Sequence, residues 1–195
     1  MTDFFGGIQV GFESPEELNR ADAFLDGLRV DAEAAVSLAG ERFESPEEPL
    51  ELATATLVLL ECGGDNEAKP ILDRLKEGDP EVCDAIRRGL RLSKVGRMKE
   101  GLFELLGHTN PCIRATSLDV LAFHRQQPIA DLDSLNNHED PYVRRCVAEA
   151  LGRLQPFQHE DILRLLIADP DPKVRQSALR AAAKQGMRGL ANLCR

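Results

Sequence analysis

Pro49, Pro80, Pro111, Pro141 and Pro172 recur along the chain at intervals of 31, 31, 30 and 31 residues. A period of this length marks repeated supersecondary units, each too small to bury an apolar face alone, so consecutive units must stack. Four of the prolines follow Asp79, Asn110, Asp140 and Asp171. These residue types cap helices, and proline suits the first helical position because its missing N–H has no intrahelical partner there. Each proline therefore reads as a helix start. The period extends toward the N-terminus, where Phe12-Glu13-Ser14-Pro15-Glu16-Glu17 returns letter for letter as Phe43-Glu44-Ser45-Pro46-Glu47-Glu48.

Counted from each proline, apolar side chains fall at offsets 2, 6, 9 and 10. Val143, Val147, Ala150 and Leu151 show the pattern most plainly, and Val82, Ile86, Gly89 and Leu90 repeat it. The unit from Pro111 has Ile113, Ser117, Val120 and Leu121, and the last has Val174, Ala178, Ala181 and Ala182. This is a helical period with one buried stripe. Earlier units diverge. Ala55, Val58 and Leu59 keep the stripe behind Glu51, and Phe24, Gly27 and Leu28 keep it behind Arg20 in a first unit starting near Leu18. Such divergence is expected of capping repeats, which have one solvated face.

After each stripe comes a break and a shorter apolar run: Ile71, Leu72 and Leu75, then Leu102, Phe103 and Leu106, then Ile162, Leu163 and Leu166. These predict the core-facing side of a second helix. No segment alternates with period two, so no sheet is expected. The predicted fold is all-α, a right-handed α-solenoid of stacked helical hairpins in one domain over residues 1–195. It divides into a divergent arm and capping repeat over 1–48, regular repeats over 49–186 and a short terminal helix over 187–195.

Asp140-Pro141-Tyr142-Val143-Arg144 and the helix that follows, through Gly152, resemble the first helix of the short HEAT repeat found in phycobilin lyases and deoxyhypusine hydroxylase. Asp171-Pro172-Lys173-Val174-Arg175 and Asn110-Pro111-Cys112-Ile113-Arg114 resemble the same start, whereas Asp79-Pro80-Glu81-Val82 has Cys83 where the pattern has arginine. The resemblance covers residues 79–186 well and the N-terminal third by spacing only. It implies a HEAT-like repeat protein, and more loosely the chain resembles bacterial HEAT-like proteins of unassigned function.

Composition narrows the function. The longest apolar stretch, Leu57 to Leu60, is too short for a membrane helix, and the first residues lack a signal-peptide pattern. Five cysteines without a C-x-x-C pair fit buried thiols in a reducing cytoplasm. No tryptophan, one tyrosine and a net charge of −9 argue against a nucleic-acid partner. Charge is unevenly placed: residues 1–70 carry 4 basic and 16 acidic groups, whereas residues 141–195 carry 10 and 5.

Several residues invite chemistry. His138-Glu139 and His159-Glu160 match the His-Glu dipeptides that the hydroxylase resemblance implies as di-iron ligands, but they lie 21 residues apart, off the period, and before helices rather than within them. Three residues before successive prolines stand Glu77, His108, His138 and Asp169, a candidate metal column whose plainer reading is a solvated helix edge. Arg114, Arg144 and Arg175 share one offset and are expected to tie neighbouring units together. Cys62, Cys83, Cys112, Cys146 and Cys194 form no column. A lyase groove would need more aromatic residues, and phosphate-loop, hydrolase and zincin motifs are missing.

The resulting expectation is a non-enzymatic, protein-binding scaffold or adaptor in the cytoplasm, without catalytic residues, cofactor or metal, and without nucleic acid or membrane as partner. The second helices are expected to form the inner wall of the curved stack, presenting Asp73, Arg74, Glu104, Asp133 and Arg164 to another protein. The alternatives are a metal-dependent enzyme or lyase subunit centred on His108 and His138, and an immunity or inhibitor protein for a secreted toxin. An acidic N-terminal part and a basic C-terminal end also predict salt-sensitive self-association through that end.

Overall fold

The computed structural model describes residues 23, 25–128, 130–155 and 159–187. All regular structure among them is helical, and the chain is an all-α solenoid of stacked hairpins. A helical stretch over 25–30 leads into α1 (Ala32–Glu44), which lies along α2 (Pro49–Cys62). Five hairpin units follow from α2, the last described only in its first helix. Their first helices are α2, α4 (Pro80–Leu92), α6 (Pro111–Phe123), α8 (Pro141–Leu151) and α10 (Pro172–Lys184). Their second helices are α3 (Ala68–Leu75), α5 (Lys99–Leu105), α7 (Leu132–Asn136) and α9 (Glu160–Ile167). The expected terminal helix over 187–195 lies outside the described residues except for Met187, which is buried.

Each of the five prolines opens a helix, and the start expected near Leu18 lies outside the described residues. The Asp79 carboxylate accepts from the N–H groups of Glu81 and Val82, Asn110 from Cys112, Asp140 from Tyr142, and Asp171 from Lys173 and Val174. Each bond satisfies an N–H that the first turn leaves without a partner, worth about 1 kcal/mol per cap. Gly78, just before the Asp79 cap, has φ of 75°, and a Cβ there would stand 2.1 Å from Asn110 Nδ2.

The stripe of the first helices is the core. Ile86, Leu90, Ile113, Leu121, Val143, Val147, Leu151 and Val174 are completely buried, and Val82 packs against them from a half-buried position. In the first unit Gly27 is exposed, Leu28 is half-buried and Phe24 lies outside the described residues. The second helices depart from the expected pattern at one point. On α5 the buried pair is Leu102 and Leu105, while Phe103 is 38% exposed and Leu106 half-buried. That helix has only seven residues, about two turns, and Leu102 and Leu105, spaced three apart, are the two it aims at the core.

First helices pack directly on one another in sequence, whereas successive second helices make little mutual contact. Side chains of α4 even reach α8, two units on: Arg145 Nη2 is 2.6 Å from Asp84 Oδ1, and Arg87 Nη1 is 2.9 Å from Glu149 Oε2. Elements two repeats apart meet only on the inside of an arc. The first helices therefore form the inner wall and the second helices the outer layer, which reverses the sequence expectation. A stripe tells which side of each helix is buried, but curvature depends on which layer holds the smaller side chains and the closer contacts. Here Gly89 and Gly152 let the first helices approach.

Candidate partner-binding surface

The proposed metal column is a set of helix-start devices. His108 Nδ1 accepts from the N–H of Asn110, His138 Nδ1 from that of Asp140, each at 3.1 Å, and Asp169 Oδ1 from that of Asp171 at 2.8 Å. Each therefore supports the residue that caps the next helix, and His and Asp interchange because either supplies one acceptor at the right height. Glu77, the fourth member, is exposed. Among the described residues no three His, Cys, Asp or Glu side chains converge as metal ligands. His159 is the N-cap residue of α9 without a side-chain cap bond, and Glu160 pairs with Arg164.

Of the arginine row only Arg144 makes the expected charge-assisted bond to a distant element. Arg144 holds Asp169 in a two-pronged pair at 2.7 and 2.9 Å and donates to the carbonyls of His138 and Glu139. Arg175 donates to the carbonyls of Asp169 and Pro170. Arg114 reaches only the Ser134 hydroxyl, at 3.4 Å.

Four cysteines are free thiols. Burial pushes Cys83 and Cys146 up to about 12 and Cys112 to about 11, which leaves them protonated and poorly nucleophilic at neutral pH. Cys194 lies outside the described residues.

The side chains expected to meet a partner all sit on second helices, hence on the outer layer. Asp73, Glu104, Asp133 and Arg164 are exposed. Arg74 is half-buried and structural: it donates to the Phe43 and Glu44 carbonyls and stacks 5.2 Å from the centre of the Phe43 ring. Asp73 pairs with Lys76 at 2.9 Å. The five do not form one cluster.

What the sequence reading missed is a buried ionic cluster on the inner wall. Asp119, fully buried in α6, accepts from Arg87 at 3.0 Å and Arg91 at 2.6 Å. Both arginines also hold Glu149 of α8, and Ser177 of α10 donates to the other oxygen of Glu149 at 3.0 Å. Asp84 completes the set through Arg87, Arg88 and Arg145. Aromatic rings floor it: Arg87 and Arg145 lie over Tyr142, and Arg91 and Arg153 over Phe123 at 5.5 and 4.7 Å. Tyr142 is anchored through its hydroxyl to Thr116 at 2.6 Å. Burial pushes the Glu149 carboxyl up, but Arg87 and Arg91 outweigh it and hold it well below the usual carboxylate range. One signal was available in the sequence, Asp119 as the lone acid of its helix, between the apolar Leu118 and Val120. A buried charge needs partners, but nothing in a single sequence says which.

Beside the cluster, at the N-terminal ends of the first helices, opens a cleft of about 430 Å³. Glu81, Asp84, Arg88, Tyr142, Arg145 and Lys173 line it together with the helix-starting prolines. Three of the five units thus contribute polar side chains to one concavity. None of its lining residues is a histidine, cysteine or serine.

Against known proteins, the model of the HEAT repeats family matches residues 129–194, the C-terminal third of the chain. Protein mini spindles of Drosophila melanogaster is 30% identical over 119 residues, 52% of this chain but 6% of that protein, so the chain spans a small part of this relative. A solved chain described under microtubule plus end tracking by XMAP215, CLIP-170 and EB1 is 23% identical and covers 89% of this chain and 87% of its own length, with a TM-score of 0.43.

Proposed function

We propose that the chain is a non-enzymatic, protein-binding repeat scaffold whose partner enters the inner wall of first helices. The observation that carries this reading is the cleft at the N-terminal ends of α4, α8 and α10, with the ionic cluster beside it. The cluster locks three units into one arc, so Glu81, Arg88 and Lys173 are presented at fixed separations, the preorganisation that keeps the ordering cost of association low. The cleft offers charges and one buried phenol but no nucleophile next to a base, which suits recognition better than group transfer. A second reading keeps the partner on the outer layer with Asp73, Arg74, Glu104, Asp133 and Arg164, and the exposure there of Phe103 and Leu165 favours it.

A photo-crosslinking amino acid placed at Glu81 or Lys173, and separately at Glu104 or Asp133, tests the two in the native cell. Crosslinks to a protein from the first pair and none from the second are expected. The reverse result moves the site to the second helices.

A further inference from the structure

The cleft at the helix starts has mixed charge, but the opposite end of the same wall does not. Five arginines, Arg87, Arg88, Arg91, Arg145 and Arg153, share the three carboxylates Asp84, Asp119 and Glu149. Toward the C-terminal ends of the first helices Arg180 and Lys184 add further positive charge beside Arg153, whose guanidinium is 3.9 Å from Asp119. Arg180 and Lys184 are exposed, with no carboxylate of the described residues within ion-pair distance. Partial burial and the nearby Arg153 and Arg91 cations lower the Lys184 pKa, and burial lowers that of Arg153 against the opposing pull of Asp119. Arg91 also forms one edge of an apolar groove of about 240 Å³ between α2 and α4, where Leu50, Leu57 and Leu92 line the walls. Leu50 is 65% exposed.

Resting on the inner-wall reading, we infer that this surface binds an acidic segment of a partner protein, with a bulky apolar residue in the Leu50–Leu57–Leu92 groove and carboxylates over the exposed Arg180 and Lys184. Charge complementarity commits it to an anion, on a chain whose net charge is −9. A polypeptide fits better than a nucleic acid, because the aromatic rings of this wall, Tyr142 and Phe123, are covered by arginines and offer no face for base stacking. The groove adds the requirement for an apolar anchor that phosphates do not meet.

The test is fluorescence anisotropy of the full chain with labelled peptides of about 12 residues, long enough to span about 40 Å when extended. One is glutamate-rich with two leucines, one is its lysine counterpart, and a single-stranded oligonucleotide serves as a non-peptide polyanion. The acidic peptide alone is expected to bind, and to weaken about tenfold or more in R180E/K184E and in Leu50→Asp, both at exposed positions, with unchanged circular dichroism. Raising salt from about 0.05 to about 0.5 M is expected to weaken it too. Equal binding of the lysine peptide or the oligonucleotide, or an unaffected variant, overturns the inference. So does sedimentation showing concentration-dependent dimers in low salt that R180E/K184E abolishes, since the occupant is then the acidic N-terminal part of a second copy. Failure here with crosslinks still arising from Glu81 or Lys173 removes this inference and leaves the inner-wall reading; crosslinks from Glu104 or Asp133 remove both.

Discussion

Asp119 shows how much one side chain can decide. Its carboxylate is fully buried at the centre of α6 and faces two arginines of α4 that are themselves almost entirely covered. A buried ion pair adds little net stability over apolar packing, but removing one partner leaves charge buried without compensation, at about 3 to 5 kcal/mol. Asp119→Ala is therefore expected to cost about that much in urea melts, tempered by Glu149, which both arginines keep. Asp119→Asn retains an acceptor and should cost less. A loss below about 1 kcal/mol for Asp119→Ala would mean that the cluster is hydrated and does not close the arc.

At the scale of elements, what the sequence made legible is the part governed by local rules. Asp-Pro and Asn-Pro starts, and the stripe at fixed offsets, are dictated by the unsatisfied N–H groups of a first turn and by the helical period, and both stand as read. The His and Asp column shows in the spacing, but the spacing does not tell a side chain that accepts from the backbone two residues on from a ligand or a solvated edge. Which layer lies inside the arc does not follow from the stripe: Asp84 and Arg145 stand at the same offset two periods apart, 61 residues, and the period alone does not say that side chains reach across two units. Glycine carries part of that closeness. A Cβ on Gly89 would stand 2.5 Å from the Ala53 carbonyl oxygen and 2.6 Å from Thr56 Cβ, so α4 must move away from α2 to accept one. Gly89→Ala is expected to destabilise by about 1 to 3 kcal/mol despite the better helix propensity of alanine. Gly96→Ala, with nothing within 4 Å, is the near-neutral control. Equal thermal midpoints for the two variants would refute the close approach of α2 and α4.

For the whole molecule, the same ionic cluster sets how the arc responds to acid. Three inter-unit carboxylates titrate below their ordinary values. Burial pushes Glu149, Asp84 and Asp169 up, but their arginine partners, Arg87 with Arg91, Arg87 with Arg145, and Arg144 respectively, prevail. A carboxyl depressed in the folded state binds fewer protons there than in the unfolded chain, so stability rises with pH across the interval between the two values. The contribution is complete above the ordinary values of 4.5 for Glu and 3.8 for Asp, and is lost as pH falls toward the depressed ones. Urea midpoints are expected to hold steady from about pH 7 to about pH 5 and to drop steeply below about pH 4. Glu149→Gln should lower the midpoint at neutral pH yet flatten the acid limb, because the group whose protonation drives it is gone. Salt should change this limb little, as buried pairs are weakly screened, whereas acidic-peptide binding at Arg180 and Lys184 falls with salt. An acid limb equally steep in Glu149→Gln would show that the cluster does not couple the units, and that the arc is held by apolar stacking alone.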